Sequence, residues 1–364
     1  MRDRISAVRH MDWLMFWAML ILLLVSASIL YSLNLNIGGS DFLVFRKQII
    51  FIIAGLVLFF LTAGVNYKVW STFSKLIYIL FIAVLVLVLF LGTEIKGTTG
   101  WIILGPLSLQ PVEFAKLGLI IWLARYFADH AKEFYMFRHI FISGFGTAVY
   151  VGLVLLQPDL GSALVLVGAW LFMLLFTGIK RKHLVWLGVA FVVVAVVAWI
   201  FLLKPYMKAR IMTFIDPGLD PQGQGYNVLQ SMTAVGSGQW WGRGLALGSQ
   251  SNLRFLPEPG TDFIFAVIAE DLGWLGAVMV LGLFAFIFYR LFGIMHKSSD
   301  DFGAYLVLGI ASMLLVQIFI NVGMNMGISP VTGIPLPLVS AGGSSLWTVM
   351  IALGMVHSVY IRNR

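Results

Sequence analysis

The strongest constraint on this chain is a series of uncharged apolar runs, each long enough to cross a lipid bilayer. Residues 13–33, 160–179 and 184–203 contain no Asp, Glu, Lys or Arg. A membrane-spanning helix needs about 20 predominantly apolar residues. Over the whole chain 60% of the residues are hydrophobic and 11% are charged, whereas soluble domains average about 45–50% and about 25%. The sequence therefore predicts a polytopic membrane protein and excludes a soluble domain.

The spacing of the charged residues predicts an all-α polytopic membrane protein with about ten transmembrane helices. Residues 302–361 carry no charged side chain, but this stretch is too long for one helix, and Pro330, Pro335 and Pro337 interrupt it. No separate soluble region is visible, so we predict one integral membrane domain over residues 1–364. The predicted spans are residues 12–33, 48–65, 76–93, 106–124, 138–158, 160–179, 184–203 and 262–289, followed by two spans within 302–361.

Basic residues beside the spans predict the orientation of the chain. Arg2, Arg4 and Arg9 precede the first span, and a basic cluster at residues 180–182 separates the sixth span from the seventh. Lys and Arg accumulate in cytoplasmic loops, so we expect both termini in the cytoplasm. The segment 204–261, between the seventh and eighth spans, then becomes a large extracytoplasmic loop. The same rule explains the net charge of +8, which therefore does not indicate a nucleic-acid partner.

The residue types that are present limit the chemistry of the chain. There is no cysteine, which excludes disulfides, zinc–thiolate sites, iron–sulfur clusters and cysteine nucleophiles. The six histidines are scattered near termini and loops, and none has the spacing of a metal site. The sequence therefore predicts no metal site among the histidines. They are His10, His130, His139, His183, His296 and His357.

Glu113 and Lys116 are charged residues inside the predicted fourth span. They are three positions apart, so they share one face of a helix and could form an ion pair. Charges at membrane depth are costly and usually face a protein interior or a watery cavity. Two interpretations stay open: a structural ion pair that fixes helix packing, or a cavity in which Lys116 attracts an anionic group.

Asp262 follows a loop rich in Pro and Gly, at the predicted start of the eighth span. Thr261 is a candidate N-cap, which would place Asp262 in the first helical turn at the membrane boundary. The helix dipole favours the ionised carboxylate, whereas an apolar surrounding opposes ionisation. A carboxylate under these opposed effects can act as a general base, although acids at helix N-termini are also common without any catalytic role.

Glycine- and proline-rich segments lie between the later spans. Gly236-Ser-Gly238 and Gly242-Arg-Gly244 are similar to a phosphate-binding loop, but the strand and helix that such a motif requires are missing. The glycines are better explained as tight turns of a loop that packs onto the membrane domain. Residues 327–345 form a second, uncharged Pro/Gly-rich segment, which could line a cavity or pack on protein.

Short motifs follow one another in order along the chain. They are Gln110-Pro-Val-Glu113-Phe-Ala-Lys116, Gln157-Pro-Asp159-Leu-Gly161-Ser162, Arg210-Ile-Met-Thr-Phe-Ile-Asp216-Pro217, Asp220-Pro-Gln-Gly-Gln-Gly225-Tyr226, Gly248-Ser-Gln250-Ser251, Thr261-Asp262-Phe263-Ile264-Phe265 and Gly333-Ile-Pro335-Leu-Pro337. Taken together they resemble the SEDS family (shape, elongation, division and sporulation), and the branch that acts in cell elongation more than the division branch. Three positions depart from the family pattern: Gly100, Gly260 and Ala341.

The resemblance implies a peptidoglycan glycosyltransferase of the bacterial plasma (inner) membrane. Such an enzyme polymerises lipid II, an undecaprenyl-pyrophosphate-linked disaccharide peptide, into glycan strands during cell elongation. Carried over to this sequence, Asp262 is the catalytic general base, and the substrate-binding residues are Lys116, Glu113, Arg210 and Glu258. No cofactor is certain, and a divalent cation, Mg²⁺ or Mn²⁺, is a further candidate. The partners implied are a class B penicillin-binding protein transpeptidase and other proteins of the elongation complex.

The competing hypothesis is a lipid II flippase, a transporter of the same family. Ten spans, charges within the membrane and a broken outer segment would suit a transporter. A flippase needs functional polar groups through the whole membrane depth, whereas the charges near Asp262 and Glu258 cluster on one side. A structural scaffold, the third class considered, would not need the carboxylate of Asp262.

Overall fold

The structure is a computed structural model that describes residues 10–35, 42–95, 97–105, 107–131, 133, 136–202, 205–220, 223–253 and 255–363. Some residues used in the sequence predictions lie outside these ranges. They are Arg2, Arg4, Arg9, Pro106, Leu203 and Lys204.

Long apolar helices make up most of the described structure, as the sequence predicts. A helix satisfies its own backbone hydrogen bonds, which a segment in lipid must do. The helices are α1 (Trp13–Leu35), α2 (Leu43–Gly64), α3 (Tyr67–Thr72), α4 (Ser74–Leu91), α5 (Pro111–Asp129), α6 (Phe137–Leu156), α7 (Leu160–Leu175), α8 (Arg181–Val197), α9 (Pro205–Ile215), α10 (Gln224–Ser237), α11 (Ser249–Asn252), α12 (Ile264–His296), α13 (Asp301–Asn325) and α14 (Gly343–Arg362).

Eight described helices are long and apolar enough to cross a membrane: α1, α2, α4, α6, α8, α12, α13 and α14. This confirms a polytopic helical protein. The other two predicted spans are also helices, but α5 carries Glu113 and Lys116 within its 19 residues, and α7 has only 16 residues. The total of ten crossings stays a prediction.

A small β-sheet precedes α5 and corrects the predicted start of the fourth span. The antiparallel strands β1 (Thr93–Ile95), β2 (Thr98–Leu104) and β3 (Leu107–Leu109) follow one another in order. Gly97 and Gly105 lie at the two turns with φ of 80° and 60°, a conformation that glycine adopts without a steric cost. The predicted span began at residue 106, so it included the residues of β3, which belong to the sheet and not to the helix.

The predicted outer loop contains helices α9, α10 and α11, and it docks on a kink of α12. Gly273 interrupts α12 with φ 69° and ψ −167°, so nearby backbone amides are free to bond outside the helix. Trp274 N–H donates to the carbonyl of Gln239 over 2.7 Å. A Cβ on Gly238 would overlap the carbonyl of Ala269, and one on Gly242 would overlap that of Asp271. This confirms the interpretation that these glycines belong to a loop that packs closely onto the membrane domain.

The first and last described helices are tied together at the end of the bundle away from this loop. Arg290, near the end of α12, donates to the Asp12 carboxylate over 2.7 Å. His357 Nε2 lies 3.3 Å from the carbonyl of Asp12, and Arg362 donates to the carbonyl of Gly64 over 2.8 Å. The start of α1 and the end of α14 therefore lie at the same end of the protein.

Helix α8 differs from the other long helices in its exposure. Its most apolar stretch, within Lys182–Phe201, has no buried residue among those described, and α8 continues as a π-helix at Ala198–Leu202. By contrast 78% of the corresponding stretch of α13 is buried. The core is therefore centred on α13, with α5, α7 and α12 packed around it.

Candidate active site

A cavity of about 390 Å³ opens near the N-termini of α2, α5, α7 and α14. Its walls come from chain segments that are far apart in the sequence, including the β-sheet, α9, the turn before α12 and the segment before α14. Apolar side chains such as Leu43, Val44 and Phe51 line one part. The charged residues of the lining are Lys47, Glu113, Asp159, Arg210 and Asp262. The cavity can therefore accept a molecule with both apolar and charged parts.

Asp262 lines the cavity but does not stand in the first turn of a helix, as the sequence predicted. The helix begins at Ile264, and Phe263 occupies the N-cap position without a side-chain cap. Thr261 donates its hydroxyl to the carbonyl of Glu258 over 3.4 Å instead of accepting from a helix amide. The prediction of a Thr261 cap was wrong because residues 258–263 form a turn that uses this hydroxyl itself.

Asparagines of α13 supply the cap that Thr261 does not. Asn325 Oδ1 accepts the backbone N–H of Ala266 over 3.1 Å, which satisfies an amide of the first turn of α12. The amide groups of Asn321 and Asn325 both donate to the carbonyl of Asp262, over 3.1 and 3.0 Å. The backbone that carries the candidate base is therefore held by a neighbouring helix. Buried asparagines four residues apart in an apolar span were the sequence signal for this contact.

The segment before α14 forms the wall opposite Asp262. Gly333 has φ 75°, and a Cβ placed on it would lie 3.6 Å from Asp262 Oδ2. Ser340 donates its hydroxyl to the carbonyl of Thr261 over 2.6 Å, and Ala341 N–H donates to the carbonyl of Gly260 over 2.8 Å. These bonds keep the two walls together, and the absence of a side chain on Gly333 keeps the space beside the carboxylate open.

Glu113 and Lys116 form the ion pair that their spacing allows. Lys116 Nζ lies 2.6 Å from Glu113 Oε1, and the residues are 1% and 2% exposed. Glu113 lines the cavity, whereas Lys116 is not among the lining residues. The second oxygen of Glu113, Oε2, is buried and has no hydrogen-bond partner among the described residues. One oxygen of Glu113 therefore lacks a partner among the described residues, at a residue that lines the cavity, while the charge of Lys116 acts mainly on Glu113.

Asp159 caps α7 and also joins two walls of the cavity. Its Oδ1 accepts the backbone N–H of Ser162 over 2.9 Å, as a helix N-cap does. Its Oδ2 accepts the side-chain amide of Gln110 over 3.1 Å, and the backbone N–H of Gln110 donates to Ser344 Oγ over 2.9 Å. The carboxylate therefore fixes the starts of α5 and α7 against α14.

Two basic residues line the cavity, of which the sequence analysis identified one. Arg210 comes from α9, and Lys47 comes from the first turns of α2. Lys47 was missed because it was assigned to the flank of the second span, which was predicted to start one residue later. Glu258 does not line the cavity; it lies in the turn before Asp262, with φ 50°. Its part in substrate binding stays a prediction.

Comparisons with known proteins agree on one family. The FTSW_RODA_SPOVE profile, described as cell cycle protein, matches residues 9–364. The peptidoglycan glycosyltransferase MrdB of Escherichia coli K12 is 36% identical, and the match covers 98% of this chain and 95% of that protein.

Two solved structures have the same fold over nearly their whole length. A chain from a structure of a peptidoglycan synthase complex that coordinates polymerization and crosslinking superposes with a TM-score of 0.80 and 31% identity, covering 97% of this chain and 98% of that one. The rod shape determining protein RodA of Thermus thermophilus superposes with a TM-score of 0.70 and 28% identity, covering 96% of each chain. The cavity therefore belongs to a fold shared with these proteins.

Proposed function

This chain belongs to the FtsW, RodA and SpoVE family and is a peptidoglycan glycosyltransferase, and we propose that the cavity beside Asp262 is its active site. One observation carries the proposal. The carboxylate of Asp262 faces a cavity that combines apolar, cationic and anionic walls. The substrate proposed for it, lipid II, has a polyprenyl tail, a pyrophosphate and a disaccharide-peptide head, and these parts match the three kinds of wall.

Asp262 acts as the general base in this proposal. Its carboxylate takes the proton of the acceptor hydroxyl, whose oxygen then forms a bond to the anomeric carbon of the donor sugar. The bond between that carbon and the pyrophosphate oxygen breaks, and the electron pair leaves with the lipid pyrophosphate. A base is effective only if it is held in place, and the bonds from Asn321 and Asn325 to its carbonyl supply that support.

Arg210 and Lys47 offset the negative charge that develops on the leaving pyrophosphate. Fixed cations at the position where charge appears lower the barrier of such a step. Glu113 Oε2 then accepts a hydrogen bond from a sugar hydroxyl, since this oxygen is buried and has no partner among the described residues. Lys116 serves the same contact indirectly, because its ion pair holds Glu113 in position.

The cavity also fits a divalent cation by the chemistry of its side chains. Mg²⁺ and Mn²⁺ prefer oxygen ligands, and Mg²⁺ commonly binds through one or two carboxylates together with substrate phosphates. Asp262 and Asp159 are the carboxylates that would hold it. Its contribution would be positive charge at the pyrophosphate.

The flippase hypothesis is not favoured, because the related proteins are named as glycosyltransferases. The protein is a multi-pass membrane protein. We propose further that it is one integral membrane domain of the plasma membrane with both termini in the cytoplasm. The contacts that bring the start of α1 to the end of α14 support an even number of crossings. The cavity then opens on the outer side, where lipid II is polymerised.

A transpeptidase partner completes the proposed function. The chain has no cysteine and no Ser-x-x-Lys sequence, so it has no recognisable group for cross-linking the strands that it makes. The structural neighbour from a synthase complex coordinates polymerization with crosslinking. We propose a single-pass class B penicillin-binding protein beside the helix bundle, together with other proteins of the elongation complex.

Purified protein with lipid II tests the proposed site. Asp262→Asn keeps the size of the side chain but removes the base, so the rate of glycan polymer formation should fall by about 10²–10⁴-fold. Glu94→Gln is the matched control, because Glu94 is an exposed carboxylate of β1 outside the cavity and should leave the rate unchanged. Full activity of Asp262→Asn would overturn the assignment of the base.

A further inference from the structure

A cluster of two histidines and a glutamate lies at the end of α5 away from the cavity. Sequence spacing predicted no metal site here, yet the structure brings His130, Glu133 and His139 together. One ligand atom from each lies within 4.8 Å of the others. Within the part of the chain that the structure describes, no other group of three or more His, Cys, Asp or Glu side chains meets this distance condition. No step of the proposed reaction uses it.

Successive turns of the backbone assemble the cluster. Glu133 N–H donates to the carbonyl of His130 over 2.8 Å, Met136 N–H to that of Glu133 over 2.9 Å, and His139 N–H to that of Met136 over 3.3 Å. Each bond joins residues three positions apart. His139, in the first turn of α6, lies beside His130. Their ring centroids are 4.5 Å apart.

Tyr126 orients both imidazole rings from the last turns of α5. The carbonyl of Tyr126 accepts Nδ1–H of His130 over 2.9 Å, because a carbonyl cannot donate. This bond leaves Nε2 of His130 as the nitrogen with a free lone pair. The hydroxyl of Tyr126 lies 2.9 Å from Nδ1 of His139. When Nδ1–H donates to this hydroxyl, Nε2 of His139 carries the lone pair that a metal ion needs. Histidine ligands of metals usually have such a partner on their second nitrogen.

We propose that His130, Glu133 and His139 form a binding site for a borderline divalent transition-metal ion, with Zn²⁺ as the reference ion. Two imidazole nitrogens and one carboxylate are a ligand set that Zn²⁺ uses when a fourth position stays open to water. Nε2 of His139 and Oε2 of Glu133 are already 3.1 Å apart, close to the ~3.4 Å expected between two ligands of a tetrahedral ion with 2.1 Å bonds. Glu133 therefore exchanges its contact with His139 for one with the metal.

Burial and charge around the cluster fit an ion that enters from solution. The side chain of His139 is 7% exposed and that of Glu133 is 51% exposed. His139 is therefore held by its surroundings, whereas the side chain of Glu133 can change its conformation to reach an ion. The basic neighbour Arg138 is exposed, and water screens its charge. The metal would join the end of α5 to the start of α6.

This site and the candidate active site lie at opposite ends of α5. The helix has 19 residues, and at 1.5 Å per residue its ends are about 28 Å apart. A cation at the histidine cluster therefore has no contact with the substrate cavity. Its effect on the protein is expected in binding and in stability, not in the chemical step.

Competition with a chromophoric chelator on full-length, tag-free protein measures Zn²⁺ binding directly. We expect one equivalent bound at this site, with affinity lowered about tenfold or more in His130→Ala and in His139→Ala. Tyr126→Phe keeps the carbonyl and loses only the hydroxyl, so its affinity should fall by about 10–100-fold. His296→Ala removes an exposed histidine of α12 and should bind as the wild type does.

Thermal unfolding with and without Zn²⁺ provides a second measurement that does not depend on activity. A ligand that binds only the folded protein raises its melting temperature, so Zn²⁺ should stabilise the wild type and His296→Ala but not the His130→Ala/His139→Ala double variant. Equal Zn²⁺ affinity in the wild type and the double variant would overturn the proposal. The absence of any Zn²⁺ binding to the wild type would also overturn it. The cluster would then be two histidines held by their hydrogen bonds to Tyr126.

Discussion

The two ends of α5 are built in different ways. At the cavity end, Glu113 lines one cavity together with residues from α2, α7, α9 and the segments around Asp262 and Gly333, which are distant in the sequence. At the other end, the histidine cluster comes from ten consecutive residues, 130–139, and from Tyr126 one turn earlier. The first region depends on the packing of the whole bundle, whereas the second depends mainly on one connection between two helices.

This difference decides how far a substitution acts. Asp262 is held through its backbone by Asn321 and Asn325, so a change in α13 reaches the candidate base without touching it. The histidines are held by Tyr126 and by their own turns, so a change there stays local. Substitutions in many parts of the chain should therefore impair the cavity, whereas only substitutions near Tyr126 and the two histidines should impair the cluster.

The largest contrast is expected in catalysis. Asp262→Asn should lower the rate of lipid II polymerisation by about 10²–10⁴-fold, whereas His130→Ala should leave it within about twofold, because the cluster lies about 28 Å away along α5. The measurement is glycan polymer formed by the two purified variants under identical conditions. A loss of polymerisation in His130→Ala as large as that in Asp262→Asn would show that the two ends are coupled.

A second contrast concerns stability at the cavity end. Removing one member of the buried Glu113–Lys116 pair leaves an uncompensated charge, which costs about 3–5 kcal/mol. Glu113→Ala and Lys116→Ala should each lower the melting temperature more than the double variant does. Melting curves of all four proteins in the same detergent form the double-mutant cycle. Purely additive shifts would mean that the two charges act independently.

A third, smaller effect separates positioning from chemistry. Asn325→Ala removes the cap of α12 and one of the hydrogen bonds to the carbonyl of Asp262. The free energy of unfolding should fall by about 1–3 kcal/mol. Since the carboxylate remains, kcat should fall while KM for lipid II changes little, and Asn325→Gln should not restore it, because its longer side chain displaces the amide. Steady-state kinetics gives the two constants. A fall in stability with kcat unchanged would leave Asn325 a structural residue only.

The smallest effect is expected on the exposed surface near the cluster. Arg125 and Asp129 form an ion pair over 2.9 Å, with side chains 44% and 42% exposed. Exposed pairs of this kind are worth well under about 1 kcal/mol, so Arg125→Gln should change the free energy of unfolding by less than about 0.5 kcal/mol. Chemical unfolding of the variant against the wild type tests this. A loss as large as that of Lys116→Ala would contradict the distinction between buried and exposed pairs.

The sequence predicted the spanning helices because each is decided locally. A run of about 20 apolar residues must become a helix in lipid, and α1, α4, α6 and α14 begin within three residues of their predicted starts or within the predicted stretch. The error at α5 came from Leu107 and Leu109 of β3, which extend the apolar run of the helix when only hydropathy is considered. These residues belong to the small β-sheet, whose two turns lie at Gly97 and Gly105.

The sequence could not predict the surroundings of the candidate residues. The partners of Asp262 lie 59 and 63 positions later in the chain, and only the packing of α12 on α13 brings them together. Lys47 was missed because the second span was predicted to begin one residue after it, whereas α2 begins at Leu43. The histidine cluster was missed because His130, Glu133 and His139 follow one another at intervals of three and six residues, which is not a usual spacing of zinc ligands.

The docking of the glycine-rich loop before α12 onto that helix has a consequence for evolution. Gly238 and Gly242 lie so close to the backbone of α12 that no side chain fits between them, and main-chain hydrogen bonds complete the attachment. The neighbouring side chains of Trp241 and Leu247 are 82% and 70% exposed and take no part in it. Substitutions at these two positions can therefore change the exposed surface of the loop without detaching it from α12, so this surface can diverge in sequence while the fold is preserved.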